Sequence, residues 1–326
     1  KTQGRTGFPI YCAADGYVSR IVVSPWGFGR AVYVVHPDLG ITTVYGHLDA
    51  FAPKIDKRVR DIQYERETFS ADLSFTPGEI PVTKGERIAT SGNAGSSGGP
   101  HLHMDIRDTD SEDPLDPMPY FKKYIKDDIA PEIRSIALYP VKGEGEVTGK
   151  TTPDIHLPAA FRQPFTAWGK VIAGIKAYDK MTGTANIYGV KHLSLTVDGK
   201  EVYRRTVDRF SFATTKAVNT LVDYAGVINN GSWTMWTYQP ASAPLGYMVE
   251  AVERGIIDIN EERDYKCEWT LTDEHGNTRR LPFIIKGVKE PITAKAAKGD
   301  RFNHDGKNSW TGAVSYTHLT LPTKLE

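Results

Sequence analysis

Nine histidines are scattered along the 326-residue chain, and two of them, His101 and His103, stand one residue apart. On a β-strand, residues i and i+2 face the same side, so the two imidazoles project together about 6 to 7 Å apart. Leu102, Met104 and Ile106 then turn the other way, toward a core. Such a pair suits one metal ligand beside one proton acceptor, and it also arises as two unconnected surface histidines. The segment in front, Ser91-Gly-Asn-Ala-Gly-Ser-Ser-Gly-Gly-Pro100, carries glycine at four of ten positions, which lets a substrate backbone approach closely. A third histidine, His47, ends the run Thr43-Val-Tyr-Gly-His47, with Tyr45 on the same face by the period of two. His36, at the end of an apolar run and beside a proline turn, reads as structural.

Short β-runs with glycine punctuation position these residues. Residues 8–14, 17–24, 31–36 and 41–48 are expected strands, and Asp15-Gly16 and Asp38-Leu-Gly40 are the turn signals between neighbours, which argues for antiparallel hairpins. Ile55, Val59, Ile62, Phe69 and Leu73 recur at helical spacing among charged residues, predicting an amphipathic helix or helical hairpin over 53–73. Strand patterns return at 86–91 and 101–107. Residues 126–132 read as a linker. Beyond it, 133–139, 171–178, the hairpin 193–197 and 201–204 around Asp198-Gly199, and the alternating Tyr265, Cys267, Trp269 and Leu271 with 281–285 predict a second β-rich region. Several short strands with turn signals suggest an immunoglobulin-like β-sandwich over 133–287. Trp233 and Trp236 are expected in its core.

Composition narrows the function classes. Forty Lys+Arg balance forty Asp+Glu, and residues 1–125 hold 14 basic against 16 acidic residues, so neither region has the basic excess that phosphate backbones require. Nucleic acid is therefore not an expected partner. No run approaches the roughly 18 consecutive apolar residues of a membrane helix, and the first thirty residues lack a signal-peptide pattern. Cys12, in an apolar run, reads as a buried free thiol. The six carboxylates between Asp105 and Asp116 lack the alternate-oxygen spacing of a calcium loop and read as a solvated exit loop. Residues 314–323 look like translated sequencing-adapter read-through, so 314–326, with His318, are expected to be a non-native tail, and 288–313 a further segment or linker.

The blocks Ala14-Asp-Gly16, Val18-Ser-Arg-Ile21, Tyr45-Gly-His-Leu48, Val82 to Gly85, Ser91-Gly-Asn-Ala-Gly95 and Gly99-Pro-His-Leu-His103 occur in the order and spacing of a known family. Over most of residues 7–107 the chain resembles the lysostaphin-like (LytM-type) zinc metallopeptidases that cut peptide cross-links in bacterial cell walls. The insert at 53–73 and the following sandwich are similar to envelope peptidases of Bacteroidota. The resemblance implies a mainly β fold: an antiparallel β-sheet peptidase domain over 1–125 with a helical insert, followed by the immunoglobulin-like β-sandwich.

It also implies roles. His103 matches the family's zinc ligand, His101 the general base and His47 the histidine that orients or stabilises the oxyanion. Tyr45, Asn93, Gly95, Ser97 and Gly99 are expected to bind substrate, with small residues such as glycine or D-alanine against the glycine loop. The family's other two ligands come from a His-x-x-x-Asp motif upstream of the first hairpin, and that motif has no counterpart here, so the chain reads as an N-terminally truncated fragment impaired in zinc binding. The expected activity is zinc metalloendopeptidase on peptidoglycan stem peptides, in the periplasm or cell envelope, with an envelope protein as a further partner for the sandwich. The alternative is an inactive scaffold that binds cell-wall peptide or activates another hydrolase.

Overall fold

A computed structural model describes residues 2–289. The expected tail at 314–326 and the part of the 288–313 segment beyond residue 289 lie outside the described residues.

The first region is built from short strands: β1 (Pro9–Tyr11), β2 (Gly16–Val23), β3 (Arg30–His36), β4 (Ile41–Gly46), β5 (Leu48–Phe51), β6 (Ala71–Ser74), β7 (Pro81–Val82), β8 (Arg87–Ser91) and β9 (His103–Asp108). A six-stranded sheet runs in the order β6-β2-β3-β4-β9, with β7 also paired to β2. A three-stranded sheet, β1-β8-β5, adjoins it. All pairings in both sheets are antiparallel. Valine and isoleucine alternate through β2 and β3, and Val18, Ile21, Val32 and Val34 are fully buried beside Tyr45, Leu48 and Ile88 in one core.

Between β5 and β6 runs the helix α1 (Pro53–Glu65), with proline at its start and Ile55 and Val59 buried against that core. The helix expected to reach residue 73 stops here. Glu67 adopts a left-handed φ of 50°, and residues 71–74 instead hydrogen-bond to β2, pairing Leu73 with Ile21. An open strand edge satisfies those backbone groups, which outweighs the helical periodicity of Phe69 and Leu73, and Phe69 is left exposed.

The second region contains β10 (Glu132–Val147), β11 (Asp154–His156), β12 (Phe165–Tyr178), β13 (His192–Val197), β14 (Lys200–Thr206), β15 (Met235–Trp236), β16 (Val249–Ala251), β17 (Ile256–Ile259), β18 (Asp264–Thr272) and β19 (Thr278–Gly287). They form one hydrogen-bonded path, β11-β10-β12-β19-β18-β13-β14-β16, with β15 and β17 on the further length of β12. The path doubles over at Phe165–Ala167, where β12 pairs in parallel with β19, the one parallel pairing among the described strands. Residues from both halves, including Ile136, Leu138, Val171, Ile175, Leu195, Trp269 and Phe283, share a single core. Asp198 and Gly199 both take positive φ, as a two-residue hairpin turn requires. Trp236 packs beside Tyr139, but Trp233, expected in the core, is 54% exposed because it sits in the irregular stretch ahead of β15.

The two regions meet around one lysine. Lys191 Nζ lies 2.9 Å from Asp116 and 3.1 Å from Asp208, and it also contacts Glu274. Asp116 belongs to the first region's exit segment and the other two to the second. The acidic run expected to be a solvated loop is thus partly engaged: Asp116 holds Lys191, and Asp108 accepts hydrogen bonds from Ser111.

Candidate active site

His103 begins β9, across from Gly46 at the end of β4. His101 precedes that strand and forms only an isolated bridge with Gly92. The strand expected from residue 101 therefore starts two residues later, yet the ring centres of His101 and His103 still lie 6.5 Å apart. His47 follows β4 with a left-handed φ of 58°, is 5% exposed, and comes within 4.7 Å of the His101 ring and 5.7 Å of the His103 ring. One ligand atom from each of the three histidines falls within 4.8 Å of the others.

Each ring has one nitrogen committed. His47 Nδ1 lies 2.7 Å from the Ala94 carbonyl, and His101 Nδ1 lies 2.8 Å from the Gly99 carbonyl, with Ser97 Oγ at 3.3 Å. Carbonyls only accept, so both Nδ1 atoms carry hydrogen and, in the neutral rings, Nε2 keeps its lone pair. His103 is turned the other way: Nε2 donates to Asp105 Oδ1 at 2.7 Å, leaving Nδ1 free. Oxygen acceptors thus fix the tautomer of all three imidazoles, the arrangement that orients metal-binding or proton-accepting histidines. His36 contrasts with them. It is fully buried and hydrogen-bonded on both nitrogens, to Asp15 and Thr43, so it has no free lone pair to offer.

Asp105, read from the sequence only as the start of a solvated acidic run, belongs to the site. Burial alone would raise its carboxyl, but hydrogen bonds from His103 and Arg107 outweigh that and hold it below the ordinary range. Arg107 reaches Asp105 Oδ2 at 2.6 and 3.1 Å and lies over the Phe212 ring of the second region at 5.0 Å. The alternation of His103, Asp105 and Arg107 along one strand face was the signal for this relay. Phe28 was also missed. Its ring sits 4.6 Å from His103 and 6.1 Å from His47, and a Cβ on Gly46 would come within 3.1 Å of it. The glycines flanking Phe28 were the only hint.

Tyr45 does not join the site. It is 1% exposed in the first core, where its hydroxyl accepts from the Ala13 amide at 2.9 Å, and burial pushes its phenol up to about 12. The period of two that placed Tyr45 beside His47 fails because the left-handed φ at His47 breaks the strand there. The glycine loop is also divided. Gly95 has φ 72° and packs on the 27–29 turn, where a Cβ would lie 2.3 Å from Gly29 N, so its open face is taken by the chain itself. Gly98 and Gly99 have nothing within 4 Å of a Cβ and remain open. Asn93 is exposed at the loop, while Ser97 and Gly99 orient His101. Cys12 is a buried free thiol.

No protein-family model matches the chain. It is 34% identical over 100 residues to a protein of Haemophilus influenzae described as an uncharacterized metalloprotease, a match that covers 31% of this chain and 16% of that relative's length. Among solved structures it is similar to the catalytic domain of a mutant of the prophage-encoded M23 protein EnpA from Enterococcus faecalis, at 23% identity over 32% of this chain and 61% of the other, with a TM-score of 0.23. The catalytic domain of the antimicrobial peptidase lysostaphin from Staphylococcus simulans aligns at 22% identity over 36% and 73%, with a TM-score of 0.27. The chain is mainly β, its motif blocks stand in order along the first region, and three histidines are gathered there.

Proposed function

We propose that the chain is a zinc metalloendopeptidase acting on peptide cross-links of peptidoglycan, with zinc binding impaired because His103 is the one family ligand it matches. The observation that carries this reading is the convergence of His47, His101 and His103, each with one nitrogen anchored on oxygen and the other free. Zinc takes a neutral imidazole nitrogen as a ligand, and the free Nδ1 of His103 can supply one. His103 would hold the ion through Nδ1, with Asp105 orienting the ring from behind and raising its basicity. Zinc, when bound, acidifies water and polarises a carbonyl.

The chain's own residues do the rest. His101, half open to solvent at the loop mouth, accepts a proton at Nε2 from the attacking water and passes it to the leaving amine. Because His47 Nδ1–H is committed to Ala94, His47 stabilises the oxyanion only as an imidazolium that donates from Nε2. The backbone at Gly98 and Gly99 leaves room for a substrate with small side chains, and Asn93 and Ser97 supply polar contacts along the same rim.

The substrate places the protein in the periplasm or cell envelope, and among the described residues no helix is long and apolar enough to cross a membrane. We read 1–125 as the peptidase-like domain, 126–132 as its linker and 133–287 as an immunoglobulin-like sandwich offering a surface for an envelope protein. The shared core of the two sheet halves supports that last reading. A metal-free scaffold is the competing function. The test is zinc content together with release of peptides from cross-linked peptidoglycan. His101→Ala should keep its zinc and lose hydrolysis, while His103→Ala should lose both. Undiminished hydrolysis by His101→Ala would sink the mechanism, and a parent chain that takes up no zinc would favour the scaffold.

A further inference from the structure

A second group of ligating side chains lies outside the histidine site. Asp127 belongs to the segment joining the two regions, Asp179 directly follows β12, and Asp273 opens the turn between β18 and β19. One carboxylate oxygen from each falls within 4.8 Å of the others. All three residues are buried, at 9, 8 and 3% exposure. Two are held by their surroundings. Ile129 and Thr182 donate backbone N–H groups to Asp127 Oδ1, each at 3.2 Å, and Asn277 donates from its backbone and side-chain nitrogens to Asp273 at 2.9 and 2.8 Å. Asp179 differs, because its Oδ1 is shut off from solvent and receives no hydrogen bond from any described residue.

The neighbouring lysines are engaged elsewhere. Lys126 pairs with Asp128 at 3.3 Å, Lys180 with Glu132 at 2.9 Å, and Lys122 with Glu274 at 3.9 Å. Three buried carboxylates whose neighbouring lysines are paired elsewhere are strongly unfavourable unless something positive joins them. Burial, then Asp273 and Asp127, push the Asp179 carboxyl up to about 6 against the opposing pull of the Lys180 backbone N–H and of His275. A proton on Asp179 would remove one charge and leave two carboxylates facing each other. A divalent cation answers all three and fills the unmet Oδ1.

We propose that Asp127, Asp179 and Asp273 form a structural calcium site that ties the inter-region segment to the end of the second β region. The ligand set is all oxygen, which selects a hard cation over zinc. Calcium takes oxygens at about 2.3–2.6 Å in flexible geometry, which suits carboxylates delivered by three separate segments, whereas magnesium demands a near-ideal octahedral set at about 2.0–2.1 Å. The position also gives the ion a job. Around it the joining segment is already held by Asn277 Nδ2 to the Asp127 carbonyl at 3.1 Å, by His275 Nε2 to the Ile125 carbonyl at 2.8 Å, and by Thr182 to Asp128. Calcium adds a carboxylate from each of three chain segments to that clasp.

The experiment uses the full chain, freed of divalent ions with a chelator, exchanged into chelator-free buffer and preloaded with zinc so that the histidines are silent. Calorimetric titration with calcium chloride should show one ion per chain, with an affinity of about 10⁻⁴ to 10⁻³ M as in extracellular modules. Calcium at a hundredfold excess over that constant should raise Tm by roughly 5 °C or more. Asp179→Asn, nearly the same shape, should weaken binding at least tenfold and abolish the Tm response. Asp127→Asn serves as a second variant if the first does not fold. A parent chain that shows neither heat nor a Tm rise overturns the proposal, as does equal stabilisation by magnesium at the same concentration, or unchanged calcium binding by either folded variant. An Asp179→Asn protein more stable than a calcium-indifferent parent would show that the cluster holds a proton, which also overturns it.

Discussion

Replacing Asp105 by asparagine isolates the contact that orients His103. The parent carboxylate accepts from His103 Nε2 at 2.7 Å and from Arg107 at 2.6 Å, and its side chain is only 18% exposed. Asparagine can still accept from one of these donors, but without charge, and Arg107 is left as a nearly buried cation beside a neutral amide. Hydrogen bonds to charged groups contribute about 1.5–3 kcal/mol each, so losing the charge on both should destabilise the protein by about 2–4 kcal/mol. Zinc affinity should fall about 10- to 100-fold, the usual effect of removing a carboxylate behind a ligating histidine.

The stability part carries a pH signature. The folded Asp105 carboxyl lies below its unfolded value near 3.9, so its contribution is fully present above that pH and disappears as pH falls through the lower folded value. Thermal unfolding in the presence of chelator should therefore show a Tm gap between parent and Asp105→Asn at pH 6 to 7 that closes in strong acid. Competition of zinc with a chromogenic chelator at pH 7 measures the affinity. Asp110→Asn, on the exposed loop beyond the strand, is the control. Asp105→Asn zinc affinity within twofold of the parent, or a Tm gap that persists below pH 2, would refute the role given to this carboxylate.

Further expectations concern the loop, the core and the junction. Gly95→Ala should lower stability by about 2 kcal/mol or more and slow hydrolysis by displacing the loop that holds His47 and His101, while Gly98→Ala, with open space at its Cβ, should shift Tm by less than about 2 °C. Tyr45→Phe should cost about 1–2 kcal/mol by leaving the Ala13 amide unpaired and leave kcat unchanged, since the ring lies in the core; a large kcat loss at unchanged Tm would restore Tyr45 to the site. Lys191→Met should destabilise the chain by about 3–5 kcal/mol, because Asp116, Asp208 and Glu274 lose their shared cation, and chemical denaturation reads this directly.

The sequence by itself determined the local elements and the identity of the reactive histidines. Period-two alternation, Asp-Gly turns and glycine punctuation act between residues close in the chain, so β2 to β4, the β13–β14 hairpin and the alternating β18 are visible without a structure. The pair His101 and His103 is visible for the same reason, since its spacing is a strand property even though the strand begins only at His103. Where a residue's neighbour comes from another segment, the sequence is silent. The end of α1 was decided by the free edge of β2, the burial of Tyr45 by a left-handed residue at His47, and the use of Gly95 by the turn at Gly29.

The same distinction separates the two clusters. Asp105 stands two residues from His103, and the face they share on β9 could be read from the spacing. Asp127, Asp179 and Asp273 come from a joining segment, a strand end and a hairpin turn, and no spacing relates them. The dense acidic run from Asp105 to Asp116, contiguous in the sequence, lacks the spacing of an ion loop and was read as a solvated exit loop. Only the packing of three chain ends decided which carboxylates are buried together, because long-range contacts are set by how sheets close over a shared core and not by local pattern.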